Sequence, residues 1–305
     1  MQPSVRYLGV WLDSHLNFEE YFRRVGAKAT GVSRALCRLM PNLRGPNESK
    51  RRLYANVVTA VILYRASIWS PALDASAKSG RLLRGFQRDI CIRVCSTYRT
   101  ASFAAVTLLA RSPLWALVAA ERRRVFLRVR DMRRGGNATL SDVDNIRMEE
   151  GVETRPQWET WLGGDGIAGE HTRLAILPCM NDWMMRNWGS LHFHMTQIIT
   201  GHGCFGTYLA RIGKVPNARC FYCPAVSDSS EHTLMECTAW IAERDVLKGV
   251  LGRPLSLAAV LEGTVSRREV WSALSTFCSA LMRAKEEAER LRQAPNPPRR
   301  NGDPG

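Results

Sequence analysis

The chain of 305 residues is 45% hydrophobic and 23% charged, a globular composition with enough length for two or three cored domains. Its longest apolar stretch, ANVVTAVILY (55–64), is too short for a bilayer, which takes roughly 18 apolar residues or more. Arg6 interrupts the opening MQPSVRYLGVWLD, so it does not read as a signal peptide. Nine cysteines, an odd number, point to a reducing compartment where thiols bind metal or pack in cores.

The net charge of +15 is unevenly spread. Residues 1–150 hold 26 Lys and Arg against 12 Asp and Glu, whereas residues 151–305 hold 17 against 16. Arginine carries most of the excess, and its planar fork matches phosphate oxygens. A polyanion is the natural partner of such a half-chain.

In chain order, SVRYLGVWLD reads as a β-hairpin turning at Gly9. Asn17 is then placed to cap a helix, with Glu20 three residues on. Phe22, Val25, Ala29, Val32, Leu36 and Leu39 continue that helix as an apolar stripe. A second helix is expected from about Glu48 to Trp69, with Leu53, Val57, Val61, Tyr64 and Ile68 inward. A third carries Leu82, Leu83, Phe86, Ile90 and Val94, and a fourth lies near 101–110. Pro113 opens a fifth, which runs into ERRRVFLRVRDMRR (121–134). The pattern is a helical bundle with arginines outside. Lys50, Arg51, Arg52, Arg81, Arg84, Arg88, Arg122, Arg123 and Arg124 are its expected nucleic-acid contacts.

RRGGNATLSDVDN (133–145) combines turn residues, lost periodicity and a change of charge, so a boundary and a linker reaching about residue 170 are expected there. Helix resumes at Arg173, is interrupted near Pro178, and returns around 238–250 and 266–293. The last helix, with EEAER, is polar enough to be expected on the surface. The final residues have the composition of a disordered tail.

CFYCPAVSDSSEHTLMEC (220–237) holds the clearest chemistry. Cys220 and Cys223 place two thiolates at one tight turn, and His232 and Cys237 follow at ligand spacing. Three sulfurs and one imidazole make a closed set suited to structural zinc, with no open position for water. Phe221 and Tyr222 lie between the first ligands. They either present an aromatic face to an unpaired base or cover the neighbouring core. His192 and His194 have no ligand partner at suitable spacing, and His202 in GHG reads as a hydrogen-bonded turn histidine. Cys37, Cys91, Cys95, Cys179, Cys204 and Cys278 read as small buried groups. No adjacent Asp-Asp pair offers a two-metal site, and Asp142, Asp144, Glu149 and Glu150 fall in the expected linker.

The succession YLGVWLD, LNFEEYF, LYANVVTAVILYRASIW, FQRDICIRVCSTYRTAS, TGHGCFGTYLARIGK, CxxC and SEHTLMECTAW resembles the C-terminal third of a non-LTR retrotransposon reverse transcriptase. The likeness is to the arthropod type-1 elements that insert in ribosomal RNA genes, over residues 5 to about 245. It implies a mainly α fold: the end of the polymerase domain with a primer-grip-like hairpin (1–16), a basic thumb-like region (17–135), the linker (136–170), a C-terminal helical domain with its zinc knuckle (171–294) and the tail (295–305). It also implies template RNA and target DNA as partners, and an intracellular ribonucleoprotein that enters the nucleus. Magnesium is implied only for palm aspartates that would precede residue 1, so this segment is expected to be a fragment without catalytic residues. A stand-alone zinc-dependent RNA-binding protein is the other reading.

Overall fold

The computed structural model describes residues 4–38, 41, 45–136 and 139–293. Leu39 and the expected tail at 295–305 lie outside the described residues, as does the Leu36 side chain. The fold is mainly helical, and among the described residues no helix is long and apolar enough to cross a membrane. The chain divides into two compact units, residues 1–196 and 197–305.

The first unit opens on the expected hairpin, β1 (Ser4–Tyr7) and β2 (Val10–Asp13), antiparallel with Arg6 opposite Trp11. Leu8 and Gly9 both have positive φ, 45° and 86°, as a type I′ turn requires. The Asp13 carboxylate then accepts the amides of His15, Asn17 and Phe18, and so folds the chain into α1 (Glu19–Arg38). Asn17 accepts the Glu19 amide at 3.0 Å. Glu20 turns to Arg23 and Arg24 instead of completing a capping box. Gly26 lets α1 approach its neighbour, since a Cβ there would sit 2.1 Å from the Phe86 ring.

The expected second helix breaks in two. α2 (Glu48–Ile62) ends, and α3 (Ala66–Trp69) restarts after Arg65 at φ 52°. The Tyr64 carbonyl freed by the break accepts Tyr21 Oη and Trp69 Nε1, each at 2.9 Å. The inward face of α2 also differs from the expected one. Ala55, Val58 and Ile62 are buried, whereas Leu53, Val57, Tyr64 and Ile68 are exposed. Arg51 shares the buried face, one turn before Ala55.

α4 (Ala72–Ala75) leads to α5 (Ala77–Cys95), which buries Leu83, Ile90 and Val94 as expected. After α6 (Phe103–Leu109), the buried Gln87 amide donates to Ser112 Oγ and the Pro113 carbonyl, and accepts Trp115 N–H. That side chain sets the turn into α7 (Trp115–Arg134).

The stretch expected as a linker instead carries α8 (Leu140–Gly163), packed along α7. Its start is a capping box, with Thr139 and Asp142 each accepting the other's amide. Glu149 and Glu150 pair with Arg128 and Arg124 of α7. Arg173 bonds the Leu162 and Ile167 carbonyls and so secures the glycine-rich loop before α9 (Glu170–Ile176). A 3₁₀ turn at Leu177–Cys179 precedes α10 (Met180–Met185), and α11 (Phe193–Thr200) contains the division between units. The units therefore part near residue 196, not across 136–170.

The second unit comprises α12 (Gly206–Arg211), α13 (Ser230–Met235), α14 (Ile241–Leu251), α15 (Leu257–Ser266) and α16 (Arg268–Gln293). Helices α14 and α15 pack on α16, and Leu247, Leu251, Val260, Leu261, Leu274 and Leu281 are buried. The expectation that the EEAER end lies on the surface is corrected at two positions. Lys285 and Glu289 are buried, Lys285 because it neutralises a buried aspartate.

In the first unit, Glu48 is buried and accepts from Arg111 at 3.1 Å, Arg186 at 3.1 Å and the Leu191 amide at 2.9 Å. Burial pushes the Arg186 guanidinium down to about 10. Removing one partner of such a buried group leaves an uncompensated charge, at a cost of about 3–5 kcal/mol. Glu48→Ala is therefore expected to destabilise the first unit by that amount in denaturant titration. The exposed control Glu149→Ala should change stability by no more than about 1 kcal/mol.

Candidate metal centre and nucleic-acid interface

The cysteine segment folds back on itself before any metal is considered. Cys220 N–H donates to the Ala225 carbonyl at 3.0 Å, and Tyr222 N–H points at Cys220 Sγ at 3.4 Å. Asp228 N–H returns to the Ala218 carbonyl at 2.7 Å. Ser229 then caps α13 by accepting His232 N–H at 2.9 Å, which turns the imidazole toward the sulfurs. Past the helix end, Cys237 N–H bonds the His232 carbonyl at 2.8 Å.

Cys220, Cys223, His232 and Cys237 thus converge, with their ligand atoms all within 4.8 Å of one another. Two thiolates bound tetrahedrally to one zinc at about 2.3 Å would stand about 3.8 Å apart. Cys220 Sγ and Cys237 Sγ are 3.8 Å apart. Cys223 Sγ lies 3.3 Å from His232 Nε2, near the roughly 3.5 Å edge expected between sulfur and nitrogen ligands. His232 Nδ1 faces Glu236 Oε2 at 3.3 Å, so a proton held there leaves the Nε2 lone pair for a metal. Burial raises the Cys223 thiol, but the Ala225 amide and hydrogen bonds from Cys220, Cys237 and His232 outweigh it and bring it down to about 7. Burial pushes Cys237 up to about 12. The donor set and its spacing fit a tetrahedral, closed site.

Three contacts fasten this loop to its unit. Asp228 is buried and takes Lys285 Nζ at 2.7 and 2.9 Å, Gly206 N–H at 3.0 Å and Thr233 Oγ1 at 3.2 Å. Arg244 donates to the carbonyls of Leu234 and Cys237. Gly206 passes so close to the loop that a Cβ would lie 2.6 Å from the Ala218 carbonyl oxygen. His202 is a turn histidine, its Nδ1 2.7 Å from the Thr200 carbonyl.

The two aromatic residues of the loop part company. Tyr222 is half-buried against Trp240, with Lys285 Nζ 5.2 Å from its ring centre. Phe221 is 47% exposed, and the Arg292 guanidinium lies over its ring at 4.0 Å.

The arginines named from the sequence also divide. Lys50, Arg81 and Arg84 are exposed. Arg88 reaches the carbonyls of Arg99 and Ala101. Arg51 as a surface contact is corrected. It is buried, and its guanidinium donates to the carbonyls of Pro46, Arg93 and Pro41. Arg52 is half-buried, and burial lowers its pKa. Arg122 and Arg123 reach back to the Leu63 and Ser67 carbonyls, and Arg124 grips Glu150 at 2.6 Å.

A groove of about 680 Å³ brings together residues that sequence reasoning passed over. Arg6, Arg24 and Lys28 supply charge, and Trp11 and Tyr64 supply ring surface above the buried Tyr21. Arg24 lies over Trp11 at 3.7 Å. The signal was present in the hairpin alternation and in the four-residue step from Arg24 to Lys28, two features read separately because one is strand and the other helix.

No family model matches the chain, and no solved structure matches it. Curated sequences do match, and they are Pol polyproteins of retrotransposable elements. The chain is 24% identical over 299 residues to the retrovirus-related Pol polyprotein from type-1 retrotransposable element R1 4 of Nasonia vitripennis, covering 94% of this chain and 74% of that one. It is 26% identical over 294 residues to the R1 polyprotein of Bradysia coprophila, covering 92% of this chain and 28% of that relative. A second Nasonia vitripennis polyprotein, R1 2, is 24% identical over 305 residues, covering 95% and 71%. The resemblance read from the motifs therefore extends over nearly the whole chain.

A structural zinc site contributes an apparent 10–16 kcal/mol or so to the folding it is coupled to. About one zinc per chain is expected by elemental analysis of protein prepared without chelator. Cys220→Ser or Cys223→Ser should lose it and lower the unfolding temperature of the second unit. Metal-free wild-type protein with unchanged stability would refute the site.

Proposed function

We propose that this chain is a C-terminal portion of a retrotransposon RNA-directed DNA polymerase, and that its first unit holds template RNA and target DNA during target-primed synthesis. The observation that carries this is the groove in which Arg6, Arg24 and Lys28 stand beside Trp11 and Tyr64. Cations track a phosphate backbone while rings take unpaired bases, the combination single-strand binders use. Residues 1–196 hold 29 basic against 17 acidic side chains, so the surrounding field attracts the same ligand. Similarity to Pol polyproteins gives the reading its parent reaction.

In this reading the segment has no catalytic residues, and magnesium serves an upstream site. The carboxylates of α8 support that assignment, since Asp142 caps a helix and Glu149 and Glu150 are held by arginines. The zinc site acts as a clip, holding Phe221 outward for RNA while Tyr222 anchors the loop. The parent would assemble with its RNA in the cytoplasm and act in the nucleus.

Affinity for single-stranded RNA against salt tests the reading in the full chain. Each phosphate contact contributes a slope of about −0.7 on single strands. Arg24→Ala with Lys28→Ala should make the slope shallower by roughly 1.4. Trp11→Ala should cost about 1–3 kcal/mol of affinity with little change in slope. Cys223→Ser should leave the slope nearly unchanged. An unaltered slope in the Arg24 and Lys28 double variant would remove the groove from the interface. Magnesium-dependent primer extension by the chain alone would overturn the non-catalytic assignment.

A further inference from the structure

Between α2, α5 and α7 the first unit has a small pocket of about 180 Å³. Arg52, Arg111 and Arg122 line it, and among the described residues no carboxylate does. Asn56 and Arg122 are exposed and set its mouth at the surface, whereas Trp115 is buried in its wall. Sites for drug-sized ligands run from roughly 300 to 1,000 Å³, so this one suits a small group rather than a docked helix or a stacked base.

Its guanidiniums have donors that the protein does not use. Arg111 gives its terminal nitrogens to Glu48 and to the Arg186 carbonyl, but its Nε is buried and meets no acceptor. Arg52 is half-buried, and among the described residues no carboxylate or carbonyl accepts from it. Arg122 commits one terminal nitrogen to the Leu63 carbonyl at 2.7 Å. The charge is unbalanced as well. Arg52, Arg111 and Arg186 gather about the single Glu48 carboxylate, and burial, joined by the Arg111 charge, pulls the Arg52 pKa down. An added anion would accept from the orphaned donors and offset the excess charge.

Phosphate meets both needs better than a carboxylate. It is tetrahedral, offers acceptor oxygens in several directions, and as a monoester carries close to two negative charges at neutral pH. A phosphodiester within a strand has one charge and sugar on both sides, which keeps it from donors set below the surface. A chain end or a free phosphate has no such obstacle. Residues 1–196 hold 29 basic against 17 acidic side chains, a field that draws a polyphosphate strand more strongly than a peptide bearing one phosphate.

We propose that Arg52, Arg111 and Arg122 form a pocket for a phosphate monoester, supplied either as free inorganic phosphate or as the terminal phosphate of a nucleic-acid strand. The inference goes beyond the polymerase reading, and its inorganic arm tests it without nucleic acid.

Calorimetry on the full chain measures binding of inorganic phosphate, with chloride at equal ionic strength as the control. A short single-stranded RNA ending in a phosphate is compared with the same RNA ending in a hydroxyl. Arg52→Gln should weaken phosphate binding by about tenfold or more, the value of one charged hydrogen bond. Its thermal stability should hold or rise, because Arg52 stands among like charges without a partner. Arg122→Gln, at an exposed position, should weaken phosphate binding in the same direction and keeps the test open should the first variant misfold. A preference of about tenfold or more for the phosphate-ended RNA, lost in Arg52→Gln, would support the proposal with the strand end as source. Equal RNA affinities with phosphate binding intact would support it with the free anion as source. With neither phosphate binding nor an end preference, or with both unchanged in the two variants, the proposal fails. Tighter binding of a phosphoserine peptide than of the phosphate-ended RNA would overturn it by making the ligand a protein. The salt slope of the hydroxyl-ended RNA reports on Arg24 and Lys28 separately, so the two readings can fail independently.

Discussion

Two guanidiniums and one backbone amide converge on the Glu48 carboxylate, and most of the first unit is arranged to let them do so. Arg111 comes from the turn between α6 and α7, Arg186 from the end of α10, and the Leu191 amide from the approach to α11. Glu48 N–H itself donates to Ser190 Oγ at 2.8 Å. A buried carboxylate must be neutralised and hydrogen-bonded or it unfolds its surroundings. That requirement draws residues more than a hundred positions apart in sequence onto the first turn of α2. Hydrophobic burial supplies the bulk of the stability, but it does not discriminate between registers as this cluster does.

The second unit repeats the device with a lysine in place of the two arginines. Asp228 is the buried acid and Lys285 of α16 its partner, with Gly206 and Thr233 completing the shell. The cysteine loop is therefore attached to its unit by an ion pair outside the candidate ligand set. The first unit carries the groove of cations and rings, whereas the loop is chiefly a fastening. Phe221 under Arg292 is the point at which the fastening also meets solvent.

The sequence made the hairpin legible because Gly9 and the alternation around it are local. The metal ligands were legible for a different reason: thiol and imidazole chemistry is tied to residue type, so spacing alone suggests the set. The face of α2 was not legible, because apolar residues lie on both sides of it. Leu53 and Val57 look more like core than Ala55, and Arg51 does not look like core at all. Helix α8 was hidden by a different ambiguity. Its buried residues, Ile146, Thr154, Trp158 and Leu162, are sparse and partly polar, and Pro156 lies within it. The buried arginines were misread because charge count does not reveal which guanidiniums backbone carbonyls will consume.

The 3.8 Å separation of Cys220 Sγ and Cys237 Sγ carries a consequence for how the protein tolerates air. Thiols at that distance need only a small movement to join covalently, and Cys223 beside them, brought down to about 7, is the readiest of the three to be oxidised. A metal bound by the four ligands would hold these sulfurs apart and keep them occupied. Once chelated in the presence of oxygen, the site would cross-link and refuse zinc until a reductant reopened it. A metal ion held here would thus also be a redox guard for the loop, and its loss would be reversible only under thiol.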